Sequence, residues 1–397
     1  MAARGDGLAA MLEAVVEPSR DRIEPPCPHF GACGGCVLQH WREDAYLAWK
    51  SELLRTALLR AGLTDPAIEP IARTNPGSRR RMDLAVRRAG ACVRVGLHRL
   101  RDAEVVDLTT CLVLHPELVR LVEPMRRLLA GLSGLRREGS LVANLLDTGA
   151  DVLLVTDREL SLQDRAALTD FARAQGLPRV SWAMRSVPPE PVCLLRPATT
   201  SLSGVVIAPA PGAFLQASAD GEDAIVRAVL AGLPDNLPRR AQIAELYAGS
   251  GTLTFAVGRH ARVTAWEVDG AAVAAVRSAV NATRQAGRIK VVQRDLGRQP
   301  VSSAELAPFA AVVLDPPYAG AAAQVAGIAA AGVPRVIYVS CNPAALAREA
   351  RVLREAGYRV LKATPIDQFL WSARLESVIV FEHLSCSAGE GRGARGR

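Results

Sequence analysis

From about residue 212 onward, short apolar runs rich in β-branched residues alternate with longer Ala- and Leu-rich stretches. That alternation predicts an α/β fold, a sheet whose strands are joined by helices. Residues 242–247, 262–268 and 335–340 read as strands, with helices from 253 and over 270–285 between them. Asn342 is a good N-cap, Pro343 suits a first helical turn, and 344–356 is rich in the helix formers Ala, Leu and Arg. Upstream the texture differs. Residues 41–62 predict a helix, and 79–86, 92–98, 141–146 and 152–155 alternate or run apolar like strands of a β-rich region. Pro188, Pro189, Pro191 and Pro197 place a boundary near 190–205. Residues up to about 20 are short of core material, with 11–16 as one candidate strand, and the Gly/Arg run 389–397 predicts a disordered tail. The expected layout is a tail or remnant over 1–20, a cysteine-bearing region over 21–115, a central β-rich domain over 75–205, an α/β domain over 206–384, and a tail over 385–397.

Composition adds a partner and a compartment. At 397 residues and 49% hydrophobic, the chain has core material for two or three domains. A net charge of +8 suits a polyanionic partner. Between Arg73 and Arg101 nine arginines face one acid, Asp83, which favours a phosphate-binding surface over a merely solvated face. No apolar run approaches the roughly 18–20 residues of a membrane span, and the N-terminus lacks an apolar signal core, as expected of a cytoplasmic protein with no membrane partner. In that compartment eight cysteines point to metal or catalysis rather than disulfides.

Three of the cysteines, Cys27, Cys33 and Cys36, lie within ten residues among glycines that let backbone curl around an ion or cluster. Thiolates at this density suit zinc or iron–sulfur, and Cys111 is the best fourth ligand. Cys92 and Cys193 sit in apolar, strand-like runs and are expected in the core. In the α/β part, Ala248-Gly249-Ser250-Gly251-Thr252 forms a tight strand-to-helix loop that a ligand can approach closely, and Glu267 ends the next strand, where it can accept from ribose hydroxyls. With Asp295 and Asp315-Pro316-Pro317-Tyr318 after later strands, the set resembles the S-adenosyl-L-methionine (SAM) site of class I methyltransferases. Cys341 emerges on the same edge, between a strand and a helix start, where the dipole and backbone N–H groups favour a thiolate. The plainer reading of a lone cysteine is a small core residue.

Taken together these residues resemble the RNA (uracil-5-)-methyltransferase family, in particular its 23S ribosomal RNA branch. The most specific pieces are Cys27/Cys33/Cys36/Cys111, Phe214-Leu215-Gln216, Val339-Ser340-Cys341-Asn342-Pro343 and Leu375-Glu376-Ser377. The resemblance implies a class I SAM methyltransferase domain behind a central RNA-binding domain and an N-terminal [4Fe–4S] segment, in a monomer acting on looped or unfolded RNA. It implies that the four cysteines hold the cluster and that Gln216, Tyr247, Gly249, Glu267, Asp295 and Asp315 serve SAM. Cys341 matches the nucleophile and Glu376 the general base, with partial burial expected to raise the Glu376 pKa. Arg79-Arg80-Arg81 and neighbouring arginines would grip the RNA backbone. Three departures stand out. Ser218 replaces a usual Asn, Tyr318 replaces a usual Arg, and of the small N-terminal β-barrel called TRAM only 12–18 resembles the final strand, so the barrel is expected to be absent or truncated. A tRNA substrate is one alternative. Asp315-Pro316-Pro317-Tyr318 also suggests an amino-methylating enzyme, which needs no cysteine, and a non-catalytic iron–sulfur RNA-binding protein is a further alternative.

Overall fold

The computed structural model describes residues 2–4, 7–9, 14–185, 187–238 and 240–384. Helix α1 (Glu43–Arg60) begins with two acids in its first turn, which suit the positive end of the helix dipole, and buries Tyr46, Lys50, Leu54, Ala57 and Leu58. A sheet of seven strands follows: β1 (Arg81–Ala89), β2 (Cys92–His98), β3 (Val105–Asp107), β4 (Glu138–Leu146), β5 (Gly149–Thr156), β6 (Arg179–Met184) and β7 (Glu190–Leu194). Their order is β7-β6-β5-β4-β1-β2-β3, antiparallel except for β5 beside β6. Helix α2 (Pro116–Gly131) buries Leu118, Leu121, Val122, Met125 and Leu129, a helical-period stripe that packs with Leu84, Val86 and Val95 of the sheet. Helix α3 (Leu162–Gln175) crosses between β5 and β6; a capping box of Ser161 and Asp164 starts it and left-handed Gly176 ends it.

The second sheet carries the C-terminal half. After α4 (Ala219–Ala231), strands and helices alternate: β8 (Gln242–Leu246), α5 (Thr252–Gly258), β9 (Arg262–Glu267), α6 (Gly270–Ala282), β10 (Ile289–Gln293), β11 (Ala311–Leu314), α7 (Ala322–Ala331), β12 (Arg335–Ser340), α8 (Pro343–Glu355), β13 (Tyr358–Asp367) and β14 (Glu376–His383). The order is β10-β9-β8-β11-β12-β14-β13, with the short strand Ala72–Arg73 added at the β13 edge. Strands β8 to β12 are parallel and β14 runs antiparallel between β12 and β13. Because the parallel strands are covered on both faces, they read as continuous apolar runs; Val312, Val313, Ile337 and Val339 are wholly buried. Order reverses between β8 and β11, so their carboxyl ends open a crevice there.

Several expectations change. Residues 14–16 form no strand, and 11–13 and 385–397 lie outside the described residues. Helix α6 stops at Ala282 because Arg284 turns into the left-handed region at φ 55°. Cys92 is exposed, not core, since it directly follows the Gly90 turn at the end of the β1–β2 hairpin. Cys193 is partly buried and packs against the central core. Glu376 does not lie on an edge strand, because β14 has a neighbour on each side. No helix among the described residues is long and apolar enough to cross a membrane.

Candidate active site

The crevice is lined first by the loop after β8. Tyr247 and Gly249 have φ of 67° and 54°, so the chain turns sharply out of the strand. A Cβ added at Gly249 would meet nothing within 4 Å, which leaves open space against the backbone, as a cofactor needs. The Glu267 carboxylate sits beside this loop, accepting from Gly249 N–H at 2.8 Å and from Val268 and Asp269 N–H at 2.8 Å each. Asp295 holds its own turn, accepting from Gly297 N–H at 2.9 Å. Tyr247, Glu267 and Asp295 stand at or just past the carboxyl ends of β8, β9 and β10.

Cys341 and Glu376 come together through strand register. Ser340 of β12 pairs with Ser377 of β14, so the next residue on one strand and the preceding residue on the other are neighbours across the sheet. Asn342 caps α8 as expected, accepting from Ala344 and Ala345 N–H. The thiol does not follow the helix-dipole expectation. Its pKa is pushed up to about 11, chiefly by burial and then by Glu376 and Asp315, against smaller opposing effects of its own N–H and Arg374. A helix start lowers a thiol pKa only while nearby carboxylates do not outweigh it. Glu376 is 4% exposed, and burial followed by Asp315 pushes its pKa to about 8, against the Gln368 amide and Ser377 N–H. Asp315 is likewise raised, to about 7, by burial, with Gln216 opposing. Two buried carboxyls this close titrate as a pair.

Gln216 belongs to this cluster. Its Nε2 donates to Asp315 Oδ2 at 3.2 Å, and its Oε1 accepts from Gln368 Nε2 at 3.0 Å. The same Gln368 nitrogen donates to Glu376 Oε2 at 2.9 Å. Gln368 was not legible beforehand, because a Gln after a strand carries no pattern until the fold closes. Glu245, wholly buried on β8 with its pKa pushed to about 8 by burial, was missed as well; an acid inside an apolar strand was its one available signal. Ser218, in place of Asn, caps α4 by accepting from Gly221 N–H at 3.1 Å, a task both residue types perform.

The segment between β13 and β14 is clamped from beneath. Lys50 Nζ donates to Asp367 Oδ1 at 2.5 Å and to the Arg374 carbonyl at 2.6 Å, while Tyr46 OH donates to Asp367 Oδ2 at 2.5 Å. The Trp371 carbonyl accepts from Val37 and Leu38 N–H at 2.8 and 3.0 Å, which ties the segment to the chain just past Cys36. Arg374 lies over the Tyr318 ring, 5.3 Å from its centroid, so that ring face already carries a guanidinium.

Cys27, Cys33, Cys36 and Cys111 line one cavity of about 200 Å³ with Arg79 and Gln39. Burial, and then the neighbouring thiols, raise the Cys33 pKa and push Cys36 to about 12. Mutual repulsion of this kind is relieved by a cationic body shared among the sulfurs. The donor chemistry and cavity therefore fit an iron–sulfur cluster, although among the described residues no three His, Cys, Asp or Glu side chains are set to hold a single metal ion. Several arginines of the 73–101 stretch have acidic partners. Arg80 pairs with buried Glu222, Arg73 with Glu43, Arg87 with Glu138, and Arg94 and Arg99 with Glu104. Arg88 donates to the Leu129 carbonyl at the end of α2, and Arg81 lies over the exposed Phe214 ring. Glu43, Glu104, Glu138 and Glu222, all outside the stretch, thus partner five of its arginines.

The model of the tRNA (uracil-5-)-methyltransferase family matches residues 213–384. RNA methyltransferases of Brucella melitensis and Caulobacter vibrioides are each 36% identical to the chain, covering 94% and 96% of it and 87% and 91% of their own lengths. The 23S rRNA (uracil(1939)-C(5))-methyltransferase RlmD of Halomonas elongata is 34% identical over 94% of this chain and 80% of its own length. In structure the chain is similar to the Pyrococcus abyssi tRNA (uracil-54, C5)-methyltransferase in complex with S-adenosyl-L-homocysteine, with a TM-score of 0.70 and 20% identity over 93% of this chain and 88% of that one. The fold is that of a class I SAM methyltransferase, and the chain belongs to the RNA (uracil-5-)-methyltransferase family.

Proposed function

We propose that the enzyme methylates C5 of a uridine in 23S rRNA through a covalent Cys341 adduct, with Glu376 as the base. The observation that supports this reading is the register of β12 against β14, which sets Cys341 beside the buried Glu376 carboxyl and near Asp315 at the end of β11. C5 of uracil is a weak nucleophile until a thiolate adds to C6 and moves the C5–C6 electron pair toward O4. Cys341, only partly buried, supplies that thiolate after losing its proton to solvent, and Arg374 and the local N–H favour the charged form. When bound, SAM supplies an electrophilic methyl group. C5 would take that methyl as its bond to the SAM sulfur breaks with the pair staying on sulfur; Glu376 then removes the C5 proton, the C5–H pair restores C5=C6, and the sulfur of Cys341 leaves C6 with its own bonding pair. Gly249 leaves the opening for the cofactor, with Glu267 and Tyr247 beside it and Asp295 further along the same edge. The target base would reach the partly buried Cys341 only out of its stack, which looped or opened RNA makes inexpensive.

Cys27, Cys33, Cys36 and Cys111 would hold a [4Fe–4S] cluster, whose full thiolate coordination suits cross-linking of the N-terminal segment to the central sheet. Ribosomal RNA is preferred as substrate because the Halomonas elongata relative acts on 23S rRNA. The Arg374–Tyr318 stack argues against the amino-methylating alternative, in which that ring must meet the substrate base.

RNA carrying 5-fluorouridine at the target tests the chemistry, because fluorine cannot leave as a cation and elimination stops after methyl transfer. A SAM-dependent adduct resistant to denaturing gels is expected, and 5-methyluridine should disappear from 23S rRNA of cells lacking the gene. N-methylated adenosine or cytidine with no trapped adduct would show the reading to be wrong, and loss of 5-methyluridine from tRNA alone would reassign the substrate.

A further inference from the structure

Gln368 is 3% exposed and sits just after β13, where its neighbour Asp367 is fixed by Lys50, Tyr46 and the Thr74 hydroxyl. Its amide is one link in a chain of directed hydrogen bonds. Gln216 must donate Nε2 to the acceptor Asp315, so it presents Oε1 to Gln368. Gln368 must therefore present Nε2, whose two hydrogens go to Gln216 Oε1 and Glu376 Oε2. With both carboxyls ionised, as Glu376 is when it acts as the base, and two amides between them, the donor direction is fixed throughout. Glu376 Oε2 is then committed as an acceptor, while Glu376 Oε1 is buried with no hydrogen-bond partner.

We propose that Gln368 is a positioning residue that selects which oxygen of Glu376 takes the substrate proton: it hydrogen-bonds Oε2 and leaves Oε1, which has no partner among the described residues, to receive the proton. The inference rests on Glu376 being the base. Taking the proton on Oε2 would weaken its hydrogen bond from Gln368, whereas Oε1 has no such bond to lose, so transfer is directed to Oε1. The same donor stabilises the carboxylate between turnovers. The charged and titratable groups facing Glu376 are Asp315 from the end of β11 and Cys341 from the end of β12, with the Arg80–Glu222 pair further off behind Gln216. Asp315 opposes the ionised form of Glu376, so the Gln368 N–H is the side-chain donor that sustains it.

The test separates the two halves of the reaction in Gln368→Met, which keeps the volume and removes the donor. Trapping on 5-fluorouridine RNA needs Cys341 and the cofactor but no proton removal, and its rate should stay within about twofold of wild type. Turnover on ordinary uridine RNA should fall about tenfold to a hundredfold, as for loss of a hydrogen bond to a charged group. The unresolved adduct should accumulate on denaturing gels, and the pH profile of its resolution should move to higher pH. Gln368→Glu, nearly the same shape but bearing an acid, should move the profile at least as far and serves if the Met variant does not fold. Trapping and turnover falling in parallel, or a pH profile identical to wild type, would overturn the role of Gln368. Failure of the wild-type enzyme to trap on 5-fluorouridine RNA would instead remove the Cys341 and Glu376 reading beneath it, before any variant is made.

Discussion

Cys341 stays protonated near neutral pH because burial and two neighbouring carboxyls outweigh the donors around its sulfur. As the proposed base, Glu376 has the opposite requirement of being ionised to act, and its pKa, pushed up to about 8, puts that change within the working range. Adduct resolution should therefore rise with pH and level off above about 8, read by rapid quench on uridine RNA; a flat profile from pH 6 to 9 would place the base elsewhere. Cys341→Ala should abolish methylation while SAM binding persists, and Glu376→Gln should accumulate the adduct. The same carboxyl also links stability to pH. Its folded pKa lies above the ordinary 4.5, so the folded state binds the proton more tightly and stability is lost as pH rises from about 4.5 through about 8. Glu376→Gln should accordingly melt higher than wild type at pH 8.5 and lose that advantage near pH 4. A Gln variant less stable at both values would contradict the burial argument.

At the scale of elements, the segment joining β13 to β14 carries Gln368, Arg374 and the approach to Glu376, yet it has no regular structure of its own between Asp367 and Glu376. Its shape comes from α1 beneath it. Lys50 and Asp367 are both wholly buried and are satisfied by each other, by Tyr46 and by carbonyls of the segment. Removing one partner leaves a buried charge uncompensated, which costs about 3–5 kcal/mol. Lys50→Met should lower the unfolding free energy from urea titration by that amount, and adding Asp367→Leu should recover much of it. Equal destabilisation by the single and double variants would show that the pair acts only through packing. Because the segment also bonds to Val37 and Leu38, the cysteine-bearing region and the active site share one scaffold.

For the whole molecule, the four cysteines of one cavity come from two stretches, and only the fold brings Cys111 to the other three. Anaerobically purified protein should carry about four irons per chain. Cys111→Ser should lose or loosen them, while Cys193→Ser, whose thiol packs against the central core, should not. Stoichiometric zinc with no iron in the wild-type preparation would refute the cluster.

Much of the C-terminal half was legible because its information is local. Strands β8, β9, β11 and β12 are apolar runs of the right length, and Asn342 and Pro343 mark a helix start wherever they stand. A glycine loop followed by an acid at the next strand end needs only nearest neighbours, so Gly249 and Glu267 were found in sequence. Register was not local. That Cys341 lies beside Glu376 depends on β14 inserting antiparallel between β12 and β13, which no periodicity states. The pKa of Cys341 was misjudged for the same reason, since the helix start is written next to the cysteine while Glu376 and Asp315 are brought there by other strands. Arginines 73 to 101 looked free because Glu43, Glu138 and Glu222 lie outside that window. By itself the sequence determined which elements form and which residues can carry the chemistry, since these follow from side-chain type and spacing. Only the tertiary structure decided which charges are neutralised, which carboxyls are buried together and that Gln368 stands between them, because burial and hydrogen bonding depend on distance in space rather than along the chain.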